Sequence, residues 1–186
     1  MERHVFRFKS VWILLGGLLV LSGCASSIMT KTDMMGQPDP NHAMVTFLRP
    51  TIVGAEYQIG IWDGENFVGE LSAVSYIQHL SEPGEHIFLG RCNNWSYVKA
   101  DLQGGKNYYI IAHFAFGARV YFDPIAKNDE ARARIDNWMT GLKPTTIIPA
   151  KRDAYVSQRS DHIQRAVKAF RAGNVRYQVL EAHDYH

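Results

Sequence analysis

Short runs of alternating apolar and polar residues between positions 42 and 126 constrain the fold of this chain more than any other feature. Successive side chains of a β-strand point to opposite faces of a sheet, so a period of two predicts strands with one buried face. β-Branched and aromatic residues, which favour strands, dominate the runs. The runs cover residues 44–49, 57–61, 67–71, 75–80, 86–92, 95–102, 108–114 and 119–122. They predict a mainly β domain.

Turn-forming residues separate these runs. Asp63-Gly64 supplies the positive φ that a tight hairpin turn requires, and Glu82-Pro83-Gly84 and Gly104-Gly105 mark two further turns. Seven or eight strands within about eighty residues, with turns between them, predict an antiparallel β-sandwich over residues 42–126. The paired cysteines of antibody domains are absent, so the order of the strands stays open.

Residues 127–176 change to a helical period and predict a C-terminal extension of two helices. The first helix starts at Asn128 or Asp129, either of which can cap it, and ends near Gly141. Its apolar stripe consists of Ala131, Ile135, Trp138, Met139 and Leu142. We expect this stripe to pack on the sheet, since an amphipathic helix buries its apolar side.

A linker bounded by Pro144 and Pro149 precedes the second helix, which is predicted from about Asp153 to Ala172. Its apolar face is formed by Ile163, Ala166, Val167 and Phe170, and its basic face by Arg165, Lys168 and Arg171. The alternation of Val175, Tyr177 and Val179 predicts a short last strand. We expect residues 177–186 to form a mostly polar tail.

The first 23 residues carry a basic start followed by an apolar run. Arg3, Arg7 and Lys9 precede the eleven apolar or small residues of Val11–Leu21. A helix of that length spans roughly 16 Å, about half of a bilayer core, which is short for a membrane anchor. The pattern therefore predicts a secretory signal peptide over residues 1–23.

Leu21-Ser22-Gly23-Cys24 ends this region and resembles the lipobox of bacterial lipoproteins. The resemblance implies cleavage between Gly23 and Cys24, a diacylglyceryl group on the Cys24 thiol, and acylation of the new amine, for example by palmitate. Each buried lipid CH₂ contributes about 0.8 kcal/mol, so several chains hold a protein on a membrane. Ala25, in place of Asp, implies the outer membrane, facing the periplasm. We expect residues 24–41 to be a lipidated N-terminus and flexible tether, reaching roughly 20–25 Å.

Five short motifs follow one another within residues 42–125. They are Met44-Val45-Thr46-Phe47-Leu48-Arg49-Pro50, Asp63-Gly64, Tyr76, Glu82-Pro83-Gly84-Glu85-His86 and Gly105-Lys106-Asn107-Tyr108-Tyr109. In this order they resemble the domain of unknown function 2846 family, a set of small bacterial lipoprotein domains. The resemblance implies a β-sandwich in the cell envelope and brings no established activity. The chain departs from the family at Phe47-Leu48, where an aromatic pair usually precedes the Arg-Pro.

No motif nominates a reaction: a Gly-rich phosphate loop, a Ser nucleophile elbow and the Cys-His signature of a thiol hydrolase are all absent. His79 and His86 flank the Glu82-Pro83-Gly84 turn. If that turn closes a hairpin, the two imidazoles are diagonal neighbours on one sheet face and can share a metal, although a third ligand is not evident. Cys92 fits either core packing or a reactive thiol. We assign no catalytic, cofactor-binding or metal-binding residue.

The cysteine count limits the possible disulfides, and the charge distribution limits the kinds of molecule that the chain can bind. If Cys24 carries lipid, Cys92 has no partner for a disulfide within the chain. Residues 150–176 hold seven Lys or Arg and two Asp, whereas residues 42–126 carry a net charge of −3. The basic segment suits anionic lipid head groups or an acidic partner, or it is the solvated face of an amphipathic helix. Nucleic acid is not expected as a partner outside the cytoplasm.

Aromatic side chains are numerous in the β region. They include Trp62, Trp95, Tyr97, Tyr108 and Tyr109. Exposed in a row they would suit sugar rings, and buried they would fill the core.

The sequence as a whole predicts a non-enzymatic lipoprotein of the cell envelope, anchored through Cys24, that binds or supports an envelope protein or glycan. Two alternatives stay open. One is a metal-dependent factor or enzyme that uses His79, His86 or Cys92. The other is a small-ligand carrier with a pocket between the sheet and the stripe of Trp138.

Overall fold

Eleven strands and three α-helices make up residues 27–186, the part of the chain described by the structure, which is a computed structural model. The strands are β1 (Met29–Lys31), β2 (Ala43–Arg49), β3 (Ile59–Asp63), β4 (Asn66–Leu71), β5 (Ser75–Ser81), β6 (Gly84–Arg91), β7 (Trp95–Leu102), β8 (Asn107–Ala115), β9 (Arg119–Pro124), β10 (Lys143–Ile147) and β11 (Gln178–Leu180). The α-helices are α1 (Ile135–Gly141), α2 (Pro149–Ser157) and α3 (Ser160–Arg171), and a 3-10 turn over Glu130–Arg134 precedes α1.

The strands form two sheets of mixed direction. The first sheet has the order β1-β10-β5-β2-β8-β9, and the second has the order β11-β7-β6-β3-β4. The eight predicted strands are all present, but the predicted antiparallel sandwich of seven or eight strands is matched only in part, because the sheets are mixed and the described residues form eleven strands. β2 pairs with β8 in parallel, as do β5 with β10 and β7 with β11. A parallel pair needs a long connection, and between β2 and β8 the chain crosses to the second sheet and returns.

The two sheets face each other across an apolar core. Phe47 from the first sheet contacts the rings of Phe88 and Phe122, with ring centroids 5.4 and 5.8 Å apart. Gly90 allows this packing, since a Cβ atom there would collide with the ring of Phe122. The domain is therefore sandwich-like, although its sheets are mixed.

The outer face of the first sheet is covered by α1 and the turn before it. The predicted apolar stripe packs here on Leu48, Tyr76 and Ile111, as expected. Asp129 caps the start, because its carboxylate accepts a hydrogen bond of 2.7 Å from the backbone N–H of Ala131. With helical cover outside and core inside, every residue of β2 is buried.

The outer face of the second sheet is covered by α2 and α3. The predicted apolar face of the second helix packs on Trp62, Leu89 and Tyr97, while its basic face is exposed. One helix from 153 to 172 was expected, but two form. Ser157 and Ser160 donate their hydroxyls to carbonyls three residues earlier, at 3.1 and 3.3 Å, and such bonds compete with a continuous helix.

Both ends of the described chain are docked on the sandwich. Residues 28–31 fall in the expected flexible tether, yet Thr30 pairs with Thr146 of β10 and Met29 packs against the core. At the other end, Leu180 is fully buried beside the core. The last strand, predicted from the alternation of Val175, Tyr177 and Val179, is β11, which lies at Gln178–Leu180 and pairs with β7.

The predicted signal peptide, Gly23 and Cys24 lie outside the described residues. None of the helices formed by residues 27–186 combines the length and apolar character that crossing a bilayer requires.

Candidate functional site

His79 and His86 come together, but not by the predicted route. A hairpin between β5 and β6 was expected, and this expectation is wrong, because the two strands belong to different sheets. The Glu82-Pro83 corner carries the chain from one sheet to the other, and Gly84 follows it with a φ of +119°. The two side chains meet across the edge of the sandwich rather than along one face.

Their meeting point is the carboxylate of Asp63, at the end of β3. Nε2 of His79 lies 3.2 Å from Oδ2 of Asp63. Nδ1 of His86 lies 2.9 Å from Oδ1 and 3.0 Å from Oδ2 of the same carboxylate. Asp63 and His86 come from the second sheet and His79 from the first, so this centre ties the two sheets together. We call Asp63, His79 and His86 the carboxylate centre.

The hydrogen bonds of His86 fix its charge. Nδ1 faces a carboxylate, and Nε2 lies 2.8 Å from the carbonyl oxygen of Glu82. Both neighbours only accept, so the ring donates from both nitrogens and is an imidazolium. The hydrogen bond to Asp63 accordingly raises the pKa of His86. Burial raises the pKa of Asp63, but hydrogen bonds from His79 and His86 outweigh it and lower that pKa to about 2.

This arrangement does not favour the metal alternative. A metal ligand must offer a lone pair, and both ring nitrogens of His86 carry protons here. Among residues 27–186, no group of three His, Cys, Asp or Glu side chains is arranged to hold a metal ion. The chemistry that the carboxylate centre supplies is an ion pair between the sheets. From the sequence, Asp63 was assigned only to a turn.

A second buried charge, Arg49, lies at the end of β2. Its side chain is fully buried, and its guanidinium donates to four backbone carbonyls. They belong to Val53, Gly54, Tyr57 and Leu71, at 3.0, 2.5, 2.8 and 3.4 Å. The guanidinium carbon also lies 4.6 Å from the ring centroid of Phe114. Arg49 and these carbonyls, called the arginine centre, fasten the loop 50–58 to the sandwich.

Burial also changes the acidity of Arg49. Desolvation lowers the pKa of its guanidinium. Its Nε has no hydrogen-bond partner within the described part of the chain. The Arg49-Pro50 motif marked this residue in the sequence, but burial and carbonyl ligation could not be inferred from the motif.

The other residues singled out from the sequence do not assemble into a site. Cys92 is half-buried and packs against the core, as a structural cysteine does. Trp62, Tyr97 and Tyr108 are buried, so these three fill the interior rather than forming an exposed row. Trp138 and its stripe pack on the sheet, and a cavity of about 510 Å³ lies beside Met139, where Gln78 and Tyr109 of the sheet also line it.

The described chain enters the fold beside the start of α2. Ser27 accepts a hydrogen bond of 2.8 Å from Nζ of Lys151 at its backbone carbonyl. The backbone N–H of Ile148 donates to the carbonyl of Ile28, also at 2.8 Å. Ile28 packs in the apolar cluster under α2 and α3. The third residue after Cys24 is therefore already in contact with the domain.

No family model matches this chain, and no curated protein sequence matches it.

Proposed function

We propose that this chain is a lipoprotein of the bacterial cell envelope whose folded domain is a non-enzymatic binding or structural module. The observation that carries the proposal is the sequence of basic start, short apolar run and Leu21-Ser22-Gly23-Cys24, followed at once by a folded domain. In this proposal Cys24 is the lipidated first residue, and the outer membrane, on its periplasmic side, is the location. The resemblance to the domain of unknown function 2846 family supports the same compartment.

The docked N-terminal segment sharpens the proposal. Ile28 lies four positions after Cys24, and a fully extended chain gains at most about 3.6 Å per residue. An acylated Cys24 would thus hold the sandwich within about 14 Å of its anchor point. The partner, an envelope protein or glycan, would meet a domain that lies against the bilayer with its α2 edge near the lipid.

The non-enzymatic part of the proposal draws on the two charged centres. The carboxylate of Asp63 and the guanidinium of Arg49 are each engaged by groups that stabilise the fold. The hydroxyl of Ser81 donates to Asp63 at 3.5 Å, and the half-buried thiol of Cys92 packs against the core near Arg49. These contacts favour a scaffold over a reaction centre.

The experiment compares the two cysteines. Cells that express the full chain are labelled with palmitate and fractionated, and Cys24→Ser is set against Cys92→Ser as the matched control. We expect Cys24→Ser to lose the label and to accumulate as an unlipidated precursor that leaves the outer-membrane fraction. Cys92→Ser should keep the label and the location. Label and location unchanged in Cys24→Ser would refute the anchor.

A further inference from the structure

A cavity of about 300 Å³ lies where α2 meets α3 on the outer face of the second sheet. Aromatic rings and basic side chains form most of its wall, and no carboxylate lines it. The residues that matter are Trp62, Arg91, Trp95, Tyr155, Arg159 and His162. Its size lies at the lower end of the range for small-molecule sites.

Two guanidinium groups lie over aromatic rings at this cavity. The guanidinium carbon of Arg159 is 3.6 Å from the ring centroid of Tyr155, and that of Arg91 is 4.9 Å from the ring of Trp95. A guanidinium that contacts a ring through its face keeps N–H groups for an oxyanion, which it can bind with two parallel hydrogen bonds.

These two cations lack counterions. Within residues 27–186, neither Arg91 nor Arg159 has a carboxylate within 4.0 Å. Arg159 donates from Nη1 to the carbonyl of Tyr155 at 3.2 Å and to Oε1 of Gln158 at 3.4 Å. A further donor of Arg159 faces the hydroxyl of Tyr155. Both side chains are only half-buried, so their charges persist at the cavity.

The rings behind the guanidiniums are held in place. Tyr155 stacks on Phe67 with centroids 4.4 Å apart, and Trp62, also at the cavity, is buried against Phe67 at 4.7 Å. Burial, together with a hydrogen bond to the carboxylate of Glu70, raises the pKa of the Tyr155 hydroxyl, which therefore stays neutral. The two cations are thus presented by a fixed aromatic wall.

His162 adds a third donor. Nη2 of Arg165 lies 3.1 Å from Nδ1 of His162, and a guanidinium can only donate, so Nδ1 accepts. The proton of a neutral imidazole then lies on Nε2.

We propose that this cavity binds the phosphate group of a small phosphate ester between Arg91 and Arg159. A phosphate monoester carries a charge of about −1.5 to −2 at neutral pH, which two guanidiniums match and a carboxylate does not. The ester carbon chain has room beside the aromatic wall. The inference goes beyond the proposed function and does not need lipid on Cys24. A soluble phosphate monoester and the head group of phosphatidic acid share this chemistry.

The test is a calorimetric titration of the full chain in micelles of an uncharged detergent. Glycerol 3-phosphate is the probe, and glycerol is its uncharged match. We expect saturable binding of glycerol 3-phosphate that weakens with added salt, and none of glycerol. Arg91→Gln and Arg159→Gln should each raise Kd about tenfold or more, because each removes a charge-assisted hydrogen bond. Arg152→Gln, at an exposed position of α2 outside the cavity, is the matched control.

Micelles doped with phosphatidic acid, whose head group is a phosphate monoester, distinguish the two sources. Binding to the doped micelles alone, weakened by Arg159→Gln and not by Arg152→Gln, would assign the site to a lipid head group. Arg159→Lys keeps the charge but replaces the planar guanidinium with an ammonium group. This variant should therefore bind glycerol 3-phosphate more weakly than the wild type does, and it keeps the proposal testable if the Gln variants fail to fold. Absence of saturable binding to either probe, or equal weakening by Arg152→Gln and Arg159→Gln, would overturn the proposal.

Discussion

The arginine centre and the carboxylate centre lie at opposite ends of β5. Each stabilises a buried charge, but with different hydrogen-bond partners. Arg49 pairs with Ser75 at the start of β5, and Asp63 is contacted by His79 near its end. Arg49 is surrounded by backbone carbonyls, which are neutral and do not titrate. Asp63 is held by the imidazoles of His79 and His86, and the pKa of His86 is raised by this contact.

The different partners of the two centres show how one sandwich can bury a charge at each end. A buried charge is costly unless hydrogen bonds replace its hydration, and both centres supply them. One does so with a loop that wraps around a cation, and its contribution is independent of pH. The other does so with an ion pair between the sheets, and its contribution depends on pH. Four substitutions and the pH dependence of stability distinguish the contributions of the two centres.

The largest effect is expected from Arg49→Met. Methionine fills part of the volume but leaves the carbonyls of the loop 50–58 without a donor. We expect the free energy of unfolding to fall by about 3 kcal/mol, with faster amide exchange in that loop. Urea unfolding and hydrogen exchange measure the two effects.

Arg119→Met is the control for this substitution, because Arg119 is exposed on β9. It should change stability by less than about 0.5 kcal/mol. If Arg49→Met were equally mild, the arginine centre would not fasten the loop.

Asp63→Asn should have the next largest effect. The pKa of Asp63 falls from 3.8 to about 2, and such a shift corresponds to about 2 kcal/mol of stability near pH 6. Asparagine keeps the shape and removes the charge that His86 needs. Asp101→Asn, at an exposed position of β7, is the matched control. Equal midpoints in urea for both variants would contradict the ion pair.

The pH profile should separate the centres. The pKa of His86 is raised above 6.5, so its contribution is complete below pH 6.5 and is lost as the pH rises through the folded-state pKa. The pKa of Asp63 is lowered from 3.8, so its contribution is complete above pH 3.8 and is lost as the pH falls toward 2. Wild-type stability should therefore be highest between these limits.

His86→Gln tests the alkaline side of this profile. Glutamine can still donate one hydrogen bond but carries no charge, so we expect a loss of about 1 kcal/mol at pH 6 and less at pH 9. Arg49→Met should keep the wild-type pH dependence. The same loss for His86→Gln at both pH values would mean that its ring is neutral in the folded protein.

The smallest effect is expected from Ser81→Ala. The Ser81 hydroxyl lies 3.5 Å from Oδ2 of Asp63, at the limit of a hydrogen bond. Its removal should change the free energy of unfolding by less than about 0.5 kcal/mol. A loss as large as that of Asp63→Asn would show that the hydroxyl, rather than the histidines, holds the carboxylate.

The sequence predicted the strands better than it predicted their partners. Alternation and turn residues are local properties, and the eight strands they indicated are present. Pairing depends on the whole chain, so the parallel contact of β2 with β8 left no local signal. The alternation of Val45 and Phe47 suggested one buried face for β2, but Leu48 is also buried, because the α1 region covers the other face.

The same limit applies to the charged centres. His79 and His86 were singled out as a pair, and they do meet, but through Asp63 and across two sheets. Arg91 and Arg159 were not singled out, since their common cavity depends on the break between α2 and α3. Sequence patterns therefore indicated which residues matter locally, while their partners were set by the packing of the two sheets.

The proposed lipid anchor at Cys24 would decide where all of these features operate. Intact-mass and peptide mass spectrometry of the protein purified from the membranes of its native host tests this most directly. We predict a chain that begins at Cys24, with a diacylglyceryl group on its thiol and a fatty acid on its amine. A chain that retains Met1–Gly23, or one with an unmodified thiol at Cys24, would contradict the anchor and the membrane-held module proposed from it.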